Sequence, residues 1–194
     1  MLDLETLDTG SNATIISIGA CRFSESGVEE GSNFYQAVDT LGQVETWGRT
    51  VGIETQAWWN QQSPEAREVF GDPDRCMLDM ALKRFSVWFR EAGPQVLSGS
   101  ARPADDAVVQ AELWGNGADF DNIILGNAYE AVSQKKPWSY SKNRCFRTLK
   151  NLGIKLDAGE GIERKGHHNA LADARYQAHY AAAYLRRLDA QSTA

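Results

Sequence analysis

The apolar positions near the start of the chain follow the two-residue period of strands. Residues 14–23 (TIISIGACRF) are rich in β-branched side chains, residues 24–27 (SESG) are typical of a turn, and residues 31–38 (GSNFYQAV) alternate weakly. We expect the short segment 1–5 to pair with the strand at 14–23. The sequence therefore predicts a three-stranded antiparallel meander.

Further along the chain the apolar positions repeat every three to four residues, which indicates helices. Residues 74–92 carry such a stripe, from Leu78 to Phe89, and Gly93-Pro94 ends it. Other helices are predicted at 120–132, 142–152 and 169–188, with a helix start at 63–65, strands at 95–99 and 107–114, and a loop insertion around 99–107. A meander followed by alternating helices and strands predicts an α/β fold with a mixed sheet.

The composition is that of an ordinary globular protein. The chain has 194 residues, of which 42% are hydrophobic and 24% charged, so we expect a single domain over residues 1–194. No apolar run approaches the roughly 20 residues that cross a bilayer, and the acidic start does not resemble a signal peptide. Three widely spaced cysteines, Cys21, Cys76 and Cys145, favour a reducing, cytoplasmic location.

Positive charge is concentrated in one segment. Residues 135–165 contain nine Lys or Arg and three acidic residues, a net +6 within a chain whose formal net charge is −6. The remainder of the chain is therefore strongly acidic. This asymmetry indicates a local basic surface on an acidic body, and the alternative is a solvated helix face.

Asp3 and Glu5 are the first candidates for chemistry. Residues two apart on a strand lie on the same face, and two neighbouring carboxylates repel each other unless a cation joins them. Oxygen ligands of this kind suit Mg²⁺ or Mn²⁺. The alternative is a solvated pair at a frayed chain end, because only two residues precede Asp3.

A second candidate follows a glycine-rich turn, in the segment 114–122 (WGNGADFDN). A predicted strand ends there and a helix begins, with Asp121 in the first helical turn. The glycines would let another backbone or a substrate approach closely. The alternative for Asp121 is a carboxylate that only stabilises the helix N-terminus.

The segment 166–174 (GHHNALADA) leads into the last predicted helix and supplies a third candidate. His168 and Asp173 are five residues apart, so on one helix they would lie about 140° apart. Both can face one site only if His168 precedes the helix, where a loop imidazole suits a general base. The alternatives are an exposed histidine and an acid that only stabilises the helix start.

Together these motifs resemble those of the DEDDh (DnaQ-like) 3′→5′ exonuclease superfamily. Their order is Asp3-Leu4-Glu5-Thr6, then Asn116-x3-Phe120-Asp121, then His168-x4-Asp173. The resemblance is closest to the exodeoxyribonuclease VIII-like group of phage and bacteria and its related exoribonucleases. Phrases similar to WGNGADFDN, HNALADARYQA and WWNQQSPEA recur in that group, so the resemblance covers nearly the whole chain.

The resemblance implies a fold, a cofactor and a reaction. The implied fold is ribonuclease H-like, with a mixed five-stranded sheet and helices on both faces. Asp3, Glu5, Asp121 and Asp173 resemble the four metal-binding carboxylates, which hold two Mg²⁺ or Mn²⁺ ions per active site. His168 resembles the histidine that activates water. The implied reaction is stepwise hydrolysis of single-stranded DNA or RNA from the 3′ end, releasing nucleoside 5′-monophosphates.

The basic segment is the predicted path of the substrate, because the acidic site would otherwise repel phosphate. Trp138 and Tyr140 lie within it and are candidates to stack on bases. The alternative is that these charges only solubilise a surface and the aromatic side chains fill the core. The residues predicted to bind substrate are Thr6, Asn116, Arg144, Arg147, Arg164 and Lys165.

Other functions fit parts of this pattern. A catalytically weak module that binds nucleic-acid ends would fit a frayed first strand that holds its metal loosely. A nucleotide hydrolase would use the same carboxylates but would not need the basic segment. A structural interaction protein would make the set of motifs a coincidence. No residue distinguishes DNA from RNA, and the resemblance leaves a homodimer open, with no membrane partner.

Overall fold

The computed structural model of the protein describes residues 1–91, 108–156 and 168–192. Its strands, β1 to β7 in chain order, are Leu2–Thr6, Ile15–Ala20, Phe23–Ser24, Gly27–Val28, Phe34–Ala37, Leu113–Gly115 and Asn143–Cys145. Its α-helices, α1 to α7, are Leu41–Trp47, Ile53–Asn60, Pro64–Arg67, Leu78–Arg90, Ile123–Ala131, Phe146–Lys150 and Ala170–Ser192. Two 3₁₀ turns, Glu68–Gly71 and Tyr140–Lys142, and one π-helical turn, Ala118–Asn122, lie between them.

Five strands form one mixed sheet in the order β5-β2-β1-β6-β7. The pairs β5/β2 and β2/β1 are antiparallel, whereas β1/β6 and β6/β7 are parallel. The predicted meander is therefore confirmed. So is the predicted α/β fold class, a mixed five-stranded sheet flanked by helices that is consistent with a ribonuclease H-like fold. The predicted turn at 24–27 joins β3 to β4, which pair as a separate hairpin.

The two faces of the sheet have different partners. Every side chain of β2 is buried, as its run of β-branched residues predicts. Leu2 and Leu4 of β1 pack in one apolar cluster with Phe85 of α4 and Leu125 of α5. Complete burial of one such side chain contributes about 1.5–3 kcal/mol. Because side chains alternate along a strand, the carboxylates of β1 lie on the opposite face, which α7 covers.

A glycine lets α7 begin directly against the sheet. A Cβ added to Gly19 of β2 would lie 2.1 Å from the backbone carbonyl carbon of Ala170, the first residue of α7. Gly19 is also the register partner of Asp3 in β1. The missing side chain therefore allows the first turn of α7, with Asp173, to lie close to the strand that carries Asp3.

Two predictions were wrong. The segment 142–152 does not begin as a helix, because Asn143–Cys145 is the edge strand β7 and α6 starts only at Phe146. Three residues are too few for an apolar period to distinguish a strand from a first helical turn. Trp138 does not lie on the surface as a stacking platform, because it is 3% exposed and packs against Phe85 and Tyr129 in the core.

The first strand is paired with its neighbour along its whole length. β1 pairs with β2 from Leu2 to Thr6, and Met1 before it is buried. The predicted strand at 95–99 and the loop insertion at 99–107 lie outside the described residues, and the predicted strand at 107–114 corresponds to Leu113–Gly115. Among the helices that the structure describes, none combines the length and apolar character needed to cross a membrane.

Candidate metal centre

Three carboxylates meet where β1 lies against α7. Asp3 and Glu5 are alternate residues of β1, and Asp173 lies in the first turn of α7. Each offers one oxygen atom, and these atoms all lie within 4.8 Å of one another. Glu5 and Asp173 are buried, so water screens their repulsion poorly. A group of this kind can hold a divalent cation, which would compensate the accumulated negative charge.

Asp121 lies beside this group of three, and the backbone holds its carboxylate. The Leu4 N–H donates to Oδ1 at 3.2 Å, and the Gly117 N–H donates to Oδ2 at 3.3 Å. Strand β6 pairs with β1 only at Leu2, so Asp121 provides a partner for the Leu4 amide where β6 has already ended. The side chain is 3% exposed. The π-helical turn after the glycines therefore directs Asp121 towards β1.

Burial and mutual repulsion raise the proton affinity of the site. Burial raises the pKa of Asp3 well above its ordinary value, and the charges of Asp121, Glu5 and Asp173 raise it further. Burial also raises the pKa of Asp121 to about 6, although its backbone hydrogen bonds oppose the shift. A cation would replace the protons that these groups favour. Because the donors are all carboxylate oxygens, the residues fit Mg²⁺ or Mn²⁺.

Gln177 is a residue of this site that the sequence analysis missed. It follows Asp173 by four residues and so lies on the same face of α7. Its Nε2 donates a hydrogen bond of 2.6 Å to Asp3 Oδ1. The spacing from Asp173 was the available signal. An uncharged amide in an alanine-rich helix, however, indicates no chemistry until its partner is known.

His168 lies outside α7, in the position that its spacing from Asp173 requires. The helix begins at Ala170, and Asn169 caps it by accepting the Ala172 N–H on Oδ1 at 3.0 Å. His168 itself has a φ of 61°, a left-handed conformation that residues other than glycine seldom adopt. The chain therefore turns sharply at His168 before the helix starts.

Two tryptophans of α2 pack against His168. The ring of Trp58 is 4.7 Å from the imidazole, edge to face, and the ring of Trp59 is 6.2 Å away. The buried Trp59 indole N–H also donates to the Thr6 carbonyl at 2.9 Å, at the end of β1. Trp59 thus connects the carboxylate strand with His168.

Thr6, a predicted substrate residue, is buried, and its hydroxyl donates a hydrogen bond to the Asp8 carbonyl.

Two other predicted substrate residues lie near Asp121. The Asn116 carbonyl accepts the backbone N–H of Arg147 at 3.0 Å, which joins α6 to the glycine-rich turn. A Cβ added to Gly117 would lie 3.4 Å from Arg147 Nη2, so the guanidinium lies against this turn. Arg147 therefore provides positive charge next to the turn that positions Asp121.

Of the remaining predicted substrate residues, the structure describes only Arg144. Arg144 forms an ion pair with Glu112 and donates to the carbonyls of Ser141 and Asn143. Arg164 and Lys165 lie outside the described residues. Tyr140, the other predicted stacking residue, is 87% exposed and remains available to a partner.

The fold and the site define an α/β protein with a carboxylate cluster suited to a divalent cation. Residues 1–185 match the family model of the 3′-5′ exoribonuclease Rv2179c-like domain. Because this match spans nearly the whole chain, the protein belongs to that family. No curated protein and no solved structure matches the sequence. The expectation of a 3′-5′ exonuclease family is thereby confirmed.

Proposed function

We propose that the protein is a metal-dependent 3′→5′ exonuclease of the DEDDh type, which shortens single-stranded nucleic acid from its 3′ end. The observation that carries the proposal is the meeting of Asp3, Glu5 and Asp173 within 4.8 Å on a chain of an exoribonuclease family. Asp121 accepts a hydrogen bond from Leu4 of β1, the strand that carries Asp3 and Glu5, and is the fourth carboxylate. The products would be nucleoside 5′-monophosphates.

The carboxylates would hold two Mg²⁺ or Mn²⁺ ions between them. Such ions activate water for attack on phosphorus and neutralise the charge that develops on the leaving oxygen. The chain itself keeps the ligands in place before they bind. Two backbone N–H groups orient Asp121, and the Gln177 amide orients Asp3.

His168 would accept the proton of the attacking water. A neutral imidazole has a free ring nitrogen that can accept a proton, which makes histidine the commonest general base. Its position before α7 frees the ring from the helix face, while Trp58 and Trp59 limit its orientations. This combination suits a base that must face both the carboxylates and the substrate.

RNA is the first substrate to test, because the family description names an exoribonuclease. The Arg147 guanidinium lies where it could neutralise a phosphate near Asp121, and Tyr140 offers an exposed ring for a base. The alternative of a catalytically weak end-binding module depended on a frayed first strand. The pairing of β1 with β2 from Leu2 to Thr6 favours the exonuclease over that module.

Digestion of end-labelled oligonucleotides tests the proposal. DNA and RNA, labelled at the 3′ or 5′ end, would be incubated with Mg²⁺, Mn²⁺ or EDTA, using wild-type protein and Asp3→Asn. We expect 3′ label to be released first as a mononucleotide, only with metal and only by the wild type. Binding without cleavage under all conditions, or activity that survives EDTA, would overturn the proposal.

A further inference from the structure

The side-chain amide of Gln177 has two polar atoms, Nε2 and Oε1. Only Nε2 has a hydrogen-bond partner among the described residues. Nε2 donates to Asp3 Oδ1 at 2.6 Å. Oε1 is buried and accepts no hydrogen bond from any residue that the structure describes. The residue as a whole is 6% exposed, so bulk water does not supply the missing hydrogen-bond donor.

An amide oxygen in this position should have a partner. Leaving a buried acceptor without one costs about 1–3 kcal/mol. When Asp3 is ionised, as a metal ligand must be, rotating the amide would not help, because the carboxylate only accepts and must face the NH₂ group. The arrangement therefore points to a donor that residues 1–91, 108–156 and 168–192 do not supply.

The position of Oε1 limits what that donor can be. An amide oxygen lies about 2.2 Å from the nitrogen of the same group. Oε1 is therefore within about 5 Å of Asp3 Oδ1, on the helix that also carries Asp173. Water molecules that complete the coordination of Mg²⁺ or Mn²⁺ are donors found at such distances from the ligands.

We infer that Gln177 is a positioning residue of the metal centre, with two tasks. Its Nε2 holds Asp3 in the orientation that binds the cation, and its Oε1 accepts a hydrogen bond from a water bound to that cation. The inference rests on the proposed function, since it needs a divalent ion among the carboxylates. It assigns to α7 a contribution to metal affinity beyond Asp173.

Metal binding to the purified protein tests this role directly. Protein freed of metal with EDTA and dialysed would be titrated with Mn²⁺, followed by calorimetry and by the electron paramagnetic resonance of free Mn²⁺. We expect Gln177→Met, which keeps the volume but removes both polar contacts, to weaken Mn²⁺ binding about 10–100-fold. The matched control is Gln134→Met, since the Gln134 side chain donates to the Asp79 carbonyl of α4.

Activity provides a second readout that a purely structural role would not change. In Gln177→Met the Mn²⁺ concentration for half-maximal hydrolysis should rise by the same factor, and saturating Mn²⁺ should restore most of the turnover. Circular dichroism and Tm in EDTA establish that the variant is folded. If it is not, Gln177→Asn keeps an amide in the helix but is too short to reach Asp3, and the same loss is expected.

The outcomes separate the two proposals. If the wild-type protein binds no Mn²⁺, the proposed function fails and this inference fails with it. If the wild type binds Mn²⁺ and hydrolyses nucleic acid while Gln177→Met binds Mn²⁺ equally well, only the role of Gln177 is overturned. Equal losses in Gln177→Met and Gln134→Met would also overturn it, because the effect would then not depend on Asp3.

Discussion

Several acidic residues of this protein have buried carboxylates. Asp121 and Asp173 are buried, and oxygen atoms of Asp3, Glu5 and Asp173 lie within 4.8 Å of one another. Without a cation, burial raises the pKa of Asp3 and Asp121, and the neighbouring carboxylates raise that of Asp3 further. These residues therefore destabilise the metal-free protein near neutral pH. In the proposed function, a bound cation would offset this cost.

Asp121→Asn should reduce hydrolysis by about 10²–10³-fold, because it removes a charge that stabilises the transition state. The asparagine NH₂ would also face one of the two backbone N–H donors, from Leu4 and Gly117, that the carboxylate now accepts. Turnover of a short oligonucleotide at saturating Mg²⁺ is the measurement. Asp119→Asn is the control, since Asp119 is exposed and should be dispensable. A loss in the control alone would show that Asp119 is the ligand.

His168→Ala should slow hydrolysis by about 10²–10⁴-fold, the usual contribution of a general base, with little change in substrate affinity. Because only the neutral imidazole accepts a proton, wild-type turnover should fall as the pH is lowered and the ring becomes protonated. The pH profile would be measured at saturating Mn²⁺, with metal occupancy followed in parallel. His167→Ala is the neighbouring control. A flat profile from pH 5 to 8 at constant occupancy would contradict the assignment.

At the scale of elements, the contact between α7 and β2 assembles the site. One face of α7 carries Asp173 and Gln177 to the strand that carries Asp3 and Glu5. The helix can lie this close because Gly19 has no side chain beneath Ala170. A second element, α6, brings Arg147 to the turn that holds Asp121.

Gly19→Ala should lower the free energy of unfolding by about 1–3 kcal/mol, the usual cost of overpacking. The new methyl group would meet the Ala170 backbone at 2.1 Å, and a backbone cannot move as easily as a flexible side chain. Urea unfolding and Mn²⁺ titration measure stability and site assembly separately. Mn²⁺ affinity should also fall, because Asp173 shifts with the start of α7.

Gly10→Ala is the control for this variant, since its Cβ would meet only the Asp8 carboxylate, at 3.8 Å. We expect it to change neither stability nor Mn²⁺ affinity appreciably. If Gly19→Ala were equally neutral, the close approach of α7 would not be what holds Asp173 in the site.

Arg147→Ala should raise KM while leaving turnover at saturating substrate nearly unchanged. Each phosphate contact in a single strand contributes roughly −0.7 to the slope of log affinity against log salt, so the slope should become shallower by about that amount. Arg144→Ala is the matched control and should have a smaller effect, because Arg144 is paired with Glu112. The assignment fails if KM and the salt slope stay constant while turnover collapses.

The whole molecule combines an acidic body with a segment of opposite charge. The chain carries a formal net charge of −6, yet residues 135–165 contain nine of its 20 basic residues. A polyanionic substrate would be repelled by most of the surface and attracted to this part. A homodimer and a cytoplasmic location remain predictions of the sequence.

The metal-free protein should lose stability from its buried carboxylates as the pH rises. The folded-state pKa of Asp3 is raised, and that of Asp121 is raised to about 6, whereas aspartates in an unfolded chain titrate near pH 4. Between these values the folded protein binds more protons than the unfolded chain, so this contribution to the free energy of unfolding falls with rising pH. In EDTA, the Tm of Asp3→Asn should exceed that of wild type at pH 8, and the gap should close towards pH 4.

At pH 8, Mg²⁺ should make the Tm of the wild type higher than that of Asp3→Asn. A ligand at 100 times its Kd stabilises the folded state by about 2.7 kcal/mol, or roughly 5–10 °C in Tm for a protein of this size. Only the wild type should gain this increase in Tm, because Asp3→Asn lacks one of the proposed metal ligands. An equal gain in both proteins would place the bound cation elsewhere.

The sequence by itself determined the elements whose own side chains show a clear period. The β-branched run around Ile15–Ala20 specified a buried strand, and the apolar stripe of Leu78–Arg90 specified an amphipathic helix. The same local rules placed Asp3 and Glu5 on one face of a strand and put His168 outside the last helix. Such features depend only on neighbouring residues, whose geometry is repeated in every strand and helix.

Only the tertiary structure decided which of these pieces meet. Trp138 is a core residue because other elements surround it, and Asn143–Cys145 is a strand because Leu113–Gly115 is there to pair with it. The contact between Gln177 and Asp3 joins residues that are 174 positions apart. No local sequence pattern predicts this contact, because it depends on how α7 packs on the sheet above Gly19.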